Sequence, residues 1–271
     1  MDPLNDFLFF KIMGEKGDET QLLGFLNAIL RRTEQDRLVS IEILENKTFS
    51  AEVIGNKTCI LDVRAILGDG TGVNIEVQLR NLGNMDRRSL FYWSKAYTSS
   101  FSAGEDYIDL PNVIAINIVN FEFFEQSDFH TTFHLWEDND KGLLLTSALE
   151  IHFIDMVKFR AFGAKDIKNE PLHRWLTWLN QDSPPELVKE VVEMDVAIQK
   201  AEELTRRVSS NREALHQYTL RQMALSDWTS GVNQAKRDNA KEIAKRLKEM
   251  GISPAQIAQG TSLSLEEITK L

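Results

Sequence analysis

Residues 61–80 read LDVRAILGDGTGVNIEVQLR, and their period decides the fold. Leu61, Val63, Ala65 and Leu67 alternate with Asp62, Arg64 and Ile66. Val73, Ile75, Val77 and Leu79 alternate with Asn74, Glu76, Gln78 and Arg80. A period of two belongs to a strand, whose successive side chains point to opposite faces. Between the runs lies Gly68-Asp69-Gly70-Thr71-Gly72, a composition that reverses the chain. The stretch predicts an antiparallel hairpin over 59–80 with one apolar and one polar face. Either register keeps Asp62, Glu76 and Gln78 on the polar face, with Arg64 and Asn74 beside them.

Outward from the hairpin, residues 2–31 predict helix, broken at Gly14–Gly17, with Asp2 as cap before Pro3. Residues 85–103 predict another helix, ending near Gly104. Residues 112–121, NVIAINIVNF, form an almost continuous apolar run, as a strand buried on both faces requires. Further strands are expected at 129–136 and 148–154. Beyond about residue 160 the pattern is helical, with helices expected at 174–179, 185–196 and through 197–250. The tail reads as short helices with turns at 250–253 and 260–262, starting at Ser253-Pro254 and Ser264. The expectation is an α/β chain, a mixed sheet with helices packed on it.

Composition narrows the function. The 271 residues carry 31 Lys and Arg against 41 Asp and Glu, a net charge of −10. That balance counts against non-specific grip on a polyanion, though local basic clusters remain open. Cys59 is the single cysteine, so no internal disulfide and no thiolate zinc site is expected. No run approaches 18 apolar residues, and the opening MDPLNDFLFFKIMGEKGDE lacks the basic start of a secretory signal. The expected setting is cytoplasmic, without a membrane partner.

The chemistry lies on the hairpin's polar face. An Asp and a Glu held close together repel as anions, and a hard divalent cation relieves that repulsion. Such an ion polarises a phosphodiester oxygen. Asp62 and Glu76 therefore suit a phosphodiesterase metal site. The plainer alternative is a wet face of an antiparallel sheet.

Several segments together resemble the PD-(D/E)XK nuclease family transposases, the recombination-promoting nuclease group. They are LDVRAILGDGTGVNIEVQ, the N-terminal DFLFFKIMG, the block RRSLFYWSKAYTSSFSAGEDYIDLPNVIAINIVNF, and ALEIHFIDMVKF. The match runs in order over about residues 1–160. The resemblance implies a restriction-endonuclease-like core over 1–160; the chain's own pattern adds a helical extension over 161–235 and a small helical tail over 236–271. It implies a divalent-metal-dependent DNA endonuclease linked to recombination or mobile elements. The ion would be Mg²⁺, with Mn²⁺ or Ca²⁺ as alternatives, and a dimer would suit cutting of two strands. Asp62 matches the first metal-ligand Asp and Glu76 the second carboxylate. Gln78 stands where the wider superfamily carries Lys, and an amide can orient water but cannot take its proton. Leu61 stands where that signature has Pro. Asp6 matches an acidic residue of the first helix that supports the metal, or else is an N-cap or surface acid. Arg88 and Tyr92, four apart on one helix face, look like a Gln-x-x-x-Tyr element with Arg for Gln. With Arg64 they are candidates for holding the scissile phosphate.

Other features point to structure. His130 and His134 share a strand face but lack the Glu of HExxH. His152, beside Glu150, reads as structural, and Trp175 and Trp178 read as core. The tail carries Lys236, Arg237, Lys241, Lys245, Arg246 and Lys248, but its last helix holds Glu266 and Glu267. A helix-turn-helix and a small assembly module both remain open there. The alternative for the whole chain is an inactive nuclease fold that binds DNA or protein.

Overall fold

A computed structural model describes residues 1–44, 63–99, 101, 104–125, 128–140 and 142–271. Cys59, Leu61 and Asp62 lie outside the described residues. The chain opens with α1 (Asp6–Met13), α2 (Thr20–Ile29) and the short strand β1 (Ile41–Ile43). The first helix starts later than Asp2. Asp2 instead closes a turn, its carboxylate accepting the Leu4 N–H at 2.9 Å and its carbonyl the Asn5 N–H at 3.1 Å. Asn5 is the true cap, its Oδ1 accepting the Leu8 N–H at 3.2 Å.

The hairpin follows as β2 (Val63–Leu67) and β3 (Gly72–Gln78), antiparallel, with Val63 opposite Ile75, Arg64 opposite Asn74 and Ala65 opposite Val73. Gly70 turns at φ +87°, where a side chain would be strained, and donates its N–H to the Leu67 carbonyl at 2.9 Å. Next come α3 (Met85–Thr98) and β4 (Val113–Val119). The helix stops at Thr98, short of Gly104, and Thr98 and Ser99 donate their hydroxyls to the Ser94 and Ala96 carbonyls of its last turn. All seven residues of β4 are buried, as its two-faced apolar sequence requires. Strands β5 (His130–Trp136) and β6 (Leu144–Asp155) complete the sheet. Strand β6 begins earlier than residue 148, because Leu144 pairs with Trp136 across a ladder irregular near Leu135.

The sheet order is β1-β2-β3-β4-β6-β5. Pairs β3–β4 and β4–β6 are parallel, and β1–β2, β2–β3 and β5–β6 are antiparallel. This is the mixed α/β sheet expected. On one face Val73, Ile75, Ile114, Ile116, Ile118 and Ile154 are all buried, with Glu150 and His152 of β6 on the same side. On the other, Met85 of α3 packs with Ala115, Val119, Leu149, Ile151 and Phe153.

Helices α4 (Met156–Ala161), α5 (Pro171–Leu179), α6 (Pro185–Met194) and α7 (Val196–Ser210) follow. Helix α7 packs on α1 and α2. Gly24 permits the approach, since a Cβ there would collide with the Ala197 methyl. Trp175 is fully buried with its ring 5.2 Å from that of Phe25, and Trp178 is buried with its Nε1–H on Glu202 at 3.1 Å. Both are core, as expected.

The chain forms two compact units, Met1–Leu215 and His216–Leu271. The second holds most of α8 (Arg212–Glu249), with α9 (Pro254–Thr261) and α10 (Leu265–Lys270). Its small core is Ala244, Ile257, Leu263 and Ile268. Ser253 caps α9, and Ser264 forms a reciprocal capping box with Glu267 at the start of α10. Glu267 is also paired with Arg237. Among the described residues no helix is long and apolar enough to cross a membrane.

Candidate active site

Glu76 sits inside β3, with Asn117 of β4 as its parallel neighbour. Asn74 lies two residues earlier and so faces the same way. All three are buried, Glu76 at 4% exposure, Asn74 at 3% and Asn117 at 2%. The polar face of the hairpin is therefore covered at β3. Helix α3 covers it.

Two hydrogen bonds seat that helix, and a third ties β4 to β6 beneath it. Asn117 donates from Nδ2 to Ser89 Oγ at 2.8 Å and to the His152 carbonyl at 3.0 Å. Trp93 donates its indole N–H to the Val113 carbonyl at 3.0 Å. Arg88 thereby comes to rest over Glu76. Its Nε donates to Glu76 Oε1 at 2.6 Å, and its Nη2 reaches the same oxygen. Tyr92, one turn further on, is buried, and the Arg88 guanidinium carbon lies 5.3 Å from its ring centre.

A buried carboxylate is costly unless it is paired and hydrogen-bonded. Burial pushes the Glu76 carboxyl above its ordinary value, and the charge and hydrogen bonds of Arg88 oppose that rise. Only Oε1 is served. Glu76 Oε2 and Asn74 Oδ1 are buried with no hydrogen-bond partner among the described residues. An anionic oxygen left open beside an amide oxygen on the same face is a donor set that fits a hard divalent cation.

The other expected residues are distributed as follows. Arg64 stands opposite Asn74 on β2, and burial lowers its guanidinium pKa. Gln78 ends β3 on the Glu76 side and donates from Nε2 to the Arg80 carbonyl at 3.1 Å. Asp6 occupies the first turn of α1, where its Oδ1 accepts the Phe7 N–H at 2.8 Å. Its charge acts on Arg80, just beyond β3. Among the described residues no three His, Cys, Asp or Glu side chains gather as an ion-binding group. Sequence reasoning passed over Asn117 and Ser89. The signal was a lone Asn inside an apolar strand, which must find partners once buried.

The histidines lie on the opposite face of the sheet. His130 Nε2 is 2.9 Å from His152 Nδ1, and His152 Nε2 is 2.7 Å from Glu150 Oε1. His134 Nε2 stands 3.7 Å from Glu150 Oε2. Burial, then the neighbouring His152, pushes His130 down to about 4. The hydrogen bond from His152 holds Glu150 below the usual carboxylate range. The group is a hydrogen-bonded chain across β5 and β6.

Comparison with curated proteins gives no match, and comparison with solved structures gives none. The family model of the PD-(D/E)XK nuclease family transposases matches residues 3–235 of the 271. The match spans the sheet, α3 and the helices through α7, and with it the strand that buries Glu76. The chain belongs to the PD-(D/E)XK nuclease family transposases.

Proposed function

We propose that the protein is a divalent-metal-dependent DNA endonuclease acting by phosphodiester hydrolysis, in the context of recombination or mobile elements. The observation that carries this reading is Glu76: a buried carboxylate, one oxygen unpartnered, under a helix that presents Arg88 and Tyr92. Asp62 directly precedes Val63 in the sequence, and its carboxylate is the second ligand of this reading. Asp62 and Glu76 would hold Mg²⁺, or Mn²⁺ or Ca²⁺ in its place, with Asp6 in support. When bound, an ion of this class supplies charge to a phosphoryl oxygen and acidity to water.

The chain's own residues do the rest. Gln78 orients the attacking water through its amide, and it cannot accept the proton. Arg88 and Arg64 hold the scissile phosphate, a task that suits the planar guanidinium fork. Tyr92 braces Arg88 by its ring. A homodimer would supply two such sites for two strands.

The test is plasmid cleavage by the purified protein with Mg²⁺, Mn²⁺, Ca²⁺ or EDTA, beside Asp62→Ala. Metal-dependent nicking lost in Asp62→Ala is expected. Cleavage at the parental rate by a folded Asp62→Ala would refute the assignment.

A second reading is an inactive nuclease fold that binds DNA or protein. It is favoured by Gln78, whose amide is committed in part to the Arg80 carbonyl and which stands in the place of Lys. It predicts DNA or protein binding without metal affinity at Glu76.

A further inference from the structure

We infer that Arg88 is the resident counter-ion of Glu76 and that a divalent cation binds only by taking its place. The inference rests on the metal reading of this site and adds how entry to it is controlled.

The two contacts that Arg88 makes with Glu76 fall on one oxygen. A guanidinium commonly spreads two N–H groups over the two oxygens of a carboxylate. Here Nε and Nη2 share Oε1, and Oε2 stays open in the interior. The Glu76 side chain is 6% exposed and the Arg88 side chain 27%. The carboxylate is thus sealed in, and its cation stands at the border with solvent. A buried anion without a counter-charge is strongly destabilising, so Arg88 makes the metal-free state viable. A dication beside Oε2 would stand within a few ångströms of the guanidinium and repel it. The two cations compete for one carboxylate. Arg88 has an exit, because its side chain is partly exposed at the border with solvent. Released, it faces outward, where a phosphate arriving with the substrate is its natural partner.

The experiment uses Mn²⁺ alone as the probe, titrated calorimetrically into the full chain without DNA. The variants are Arg88→Met, Arg88→Lys, Glu76→Gln and the double change Arg88→Met with Glu76→Gln. Losing a charge-assisted pair frees the carboxylate, so Arg88→Met is expected to bind Mn²⁺ at least about tenfold tighter than the parent. Arg88→Lys, a point charge on a flexible stem, is expected to fall between. Both variants that lack the Glu76 carboxylate are expected to lose the binding. If Arg88→Met does not fold, as judged by its melting curve, the order of parent and Arg88→Lys decides. Affinity unchanged or weaker without the arginine, in a parent whose binding needs Glu76, would overturn the exchange and leave the metal reading standing. No Mn²⁺ binding by the parent or by either folded Arg88 variant would overturn both.

Discussion

Replacing Asn117 tests how the sheet holds the helix that covers Glu76. Its side-chain amide ties three elements together: β4, which carries it, α3 through Ser89 Oγ at 2.8 Å, and β6 through the His152 carbonyl at 3.0 Å. Asn117→Ala removes both hydrogen bonds. Each is worth about 1 kcal/mol net, and the stranded Ser89 hydroxyl and His152 carbonyl add about 1 kcal/mol more in a dry interior. The expected loss is about 3 kcal/mol, a large part of a typical folding free energy. Asn117→Leu separates the contributions, because it fills the space and still strands both partners. It is expected to lose about 2 kcal/mol. The assay is urea denaturation followed by far-UV circular dichroism, with slopes compared to confirm that the same unfolding is measured. The consequence reaches the site, because Ser89 is the next residue after Arg88. A looser α3 should also raise amide exchange through Ser89 and Leu90. An Asn117→Leu protein within about 0.5 kcal/mol of the parent would refute the reasoning, since packing alone would then hold the helix.

Gly24→Val is expected to cost at least about 2 kcal/mol, because the new side chain meets Ala197 where α2 and α7 touch; a melting temperature equal to the parent's would contradict that packing. Gly231→Ala, inside α8 with open space around the added methyl, is expected to stabilise that helix by about 0.5–1 kcal/mol, read by helical content on heating. His130 titrates at about 4 in the folded chain, below its ordinary 6.5, so the unfolded chain binds the proton first as pH falls. Its effect is nil above pH 6.5, and stability is lost as pH drops from there toward 4, by at most about 1.4 kcal/mol per pH unit. His130→Gln should flatten that limb, and superimposable denaturation curves across this range would count against it.

The hairpin was legible because both its strands and its turn obey local rules. Alternation put Val73, Ile75 and Val77 on one side and Asn74, Glu76 and Gln78 on the other, and the glycine-rich turn set the reversal. The buried character of β4 was legible for the same reason. What local pattern could not give was the partner of each polar side chain. The Arg88–Glu76 pair spans twelve residues and the Asn117–Ser89 bond twenty-eight, so both depend on where α3 comes to rest. Helix ends were read less well than helices. Asp2 looked like a cap by type, but Asn5 does that work, since either residue can accept an N–H and only the folded turn selects between them.

Strand β3 has a bonded neighbour along each edge, antiparallel β2 and parallel β4. The Glu76 backbone is thereby clamped from two sides, and its amide should exchange with solvent only when the whole unit opens. Among the described residues, the helix facing it is tied to the sheet by hydrogen bonds that run through side chains. A stiff floor carries the carboxylate and an adjustable roof carries the arginine, so adaptation to differently shaped duplexes would proceed through the roof while the floor keeps its geometry.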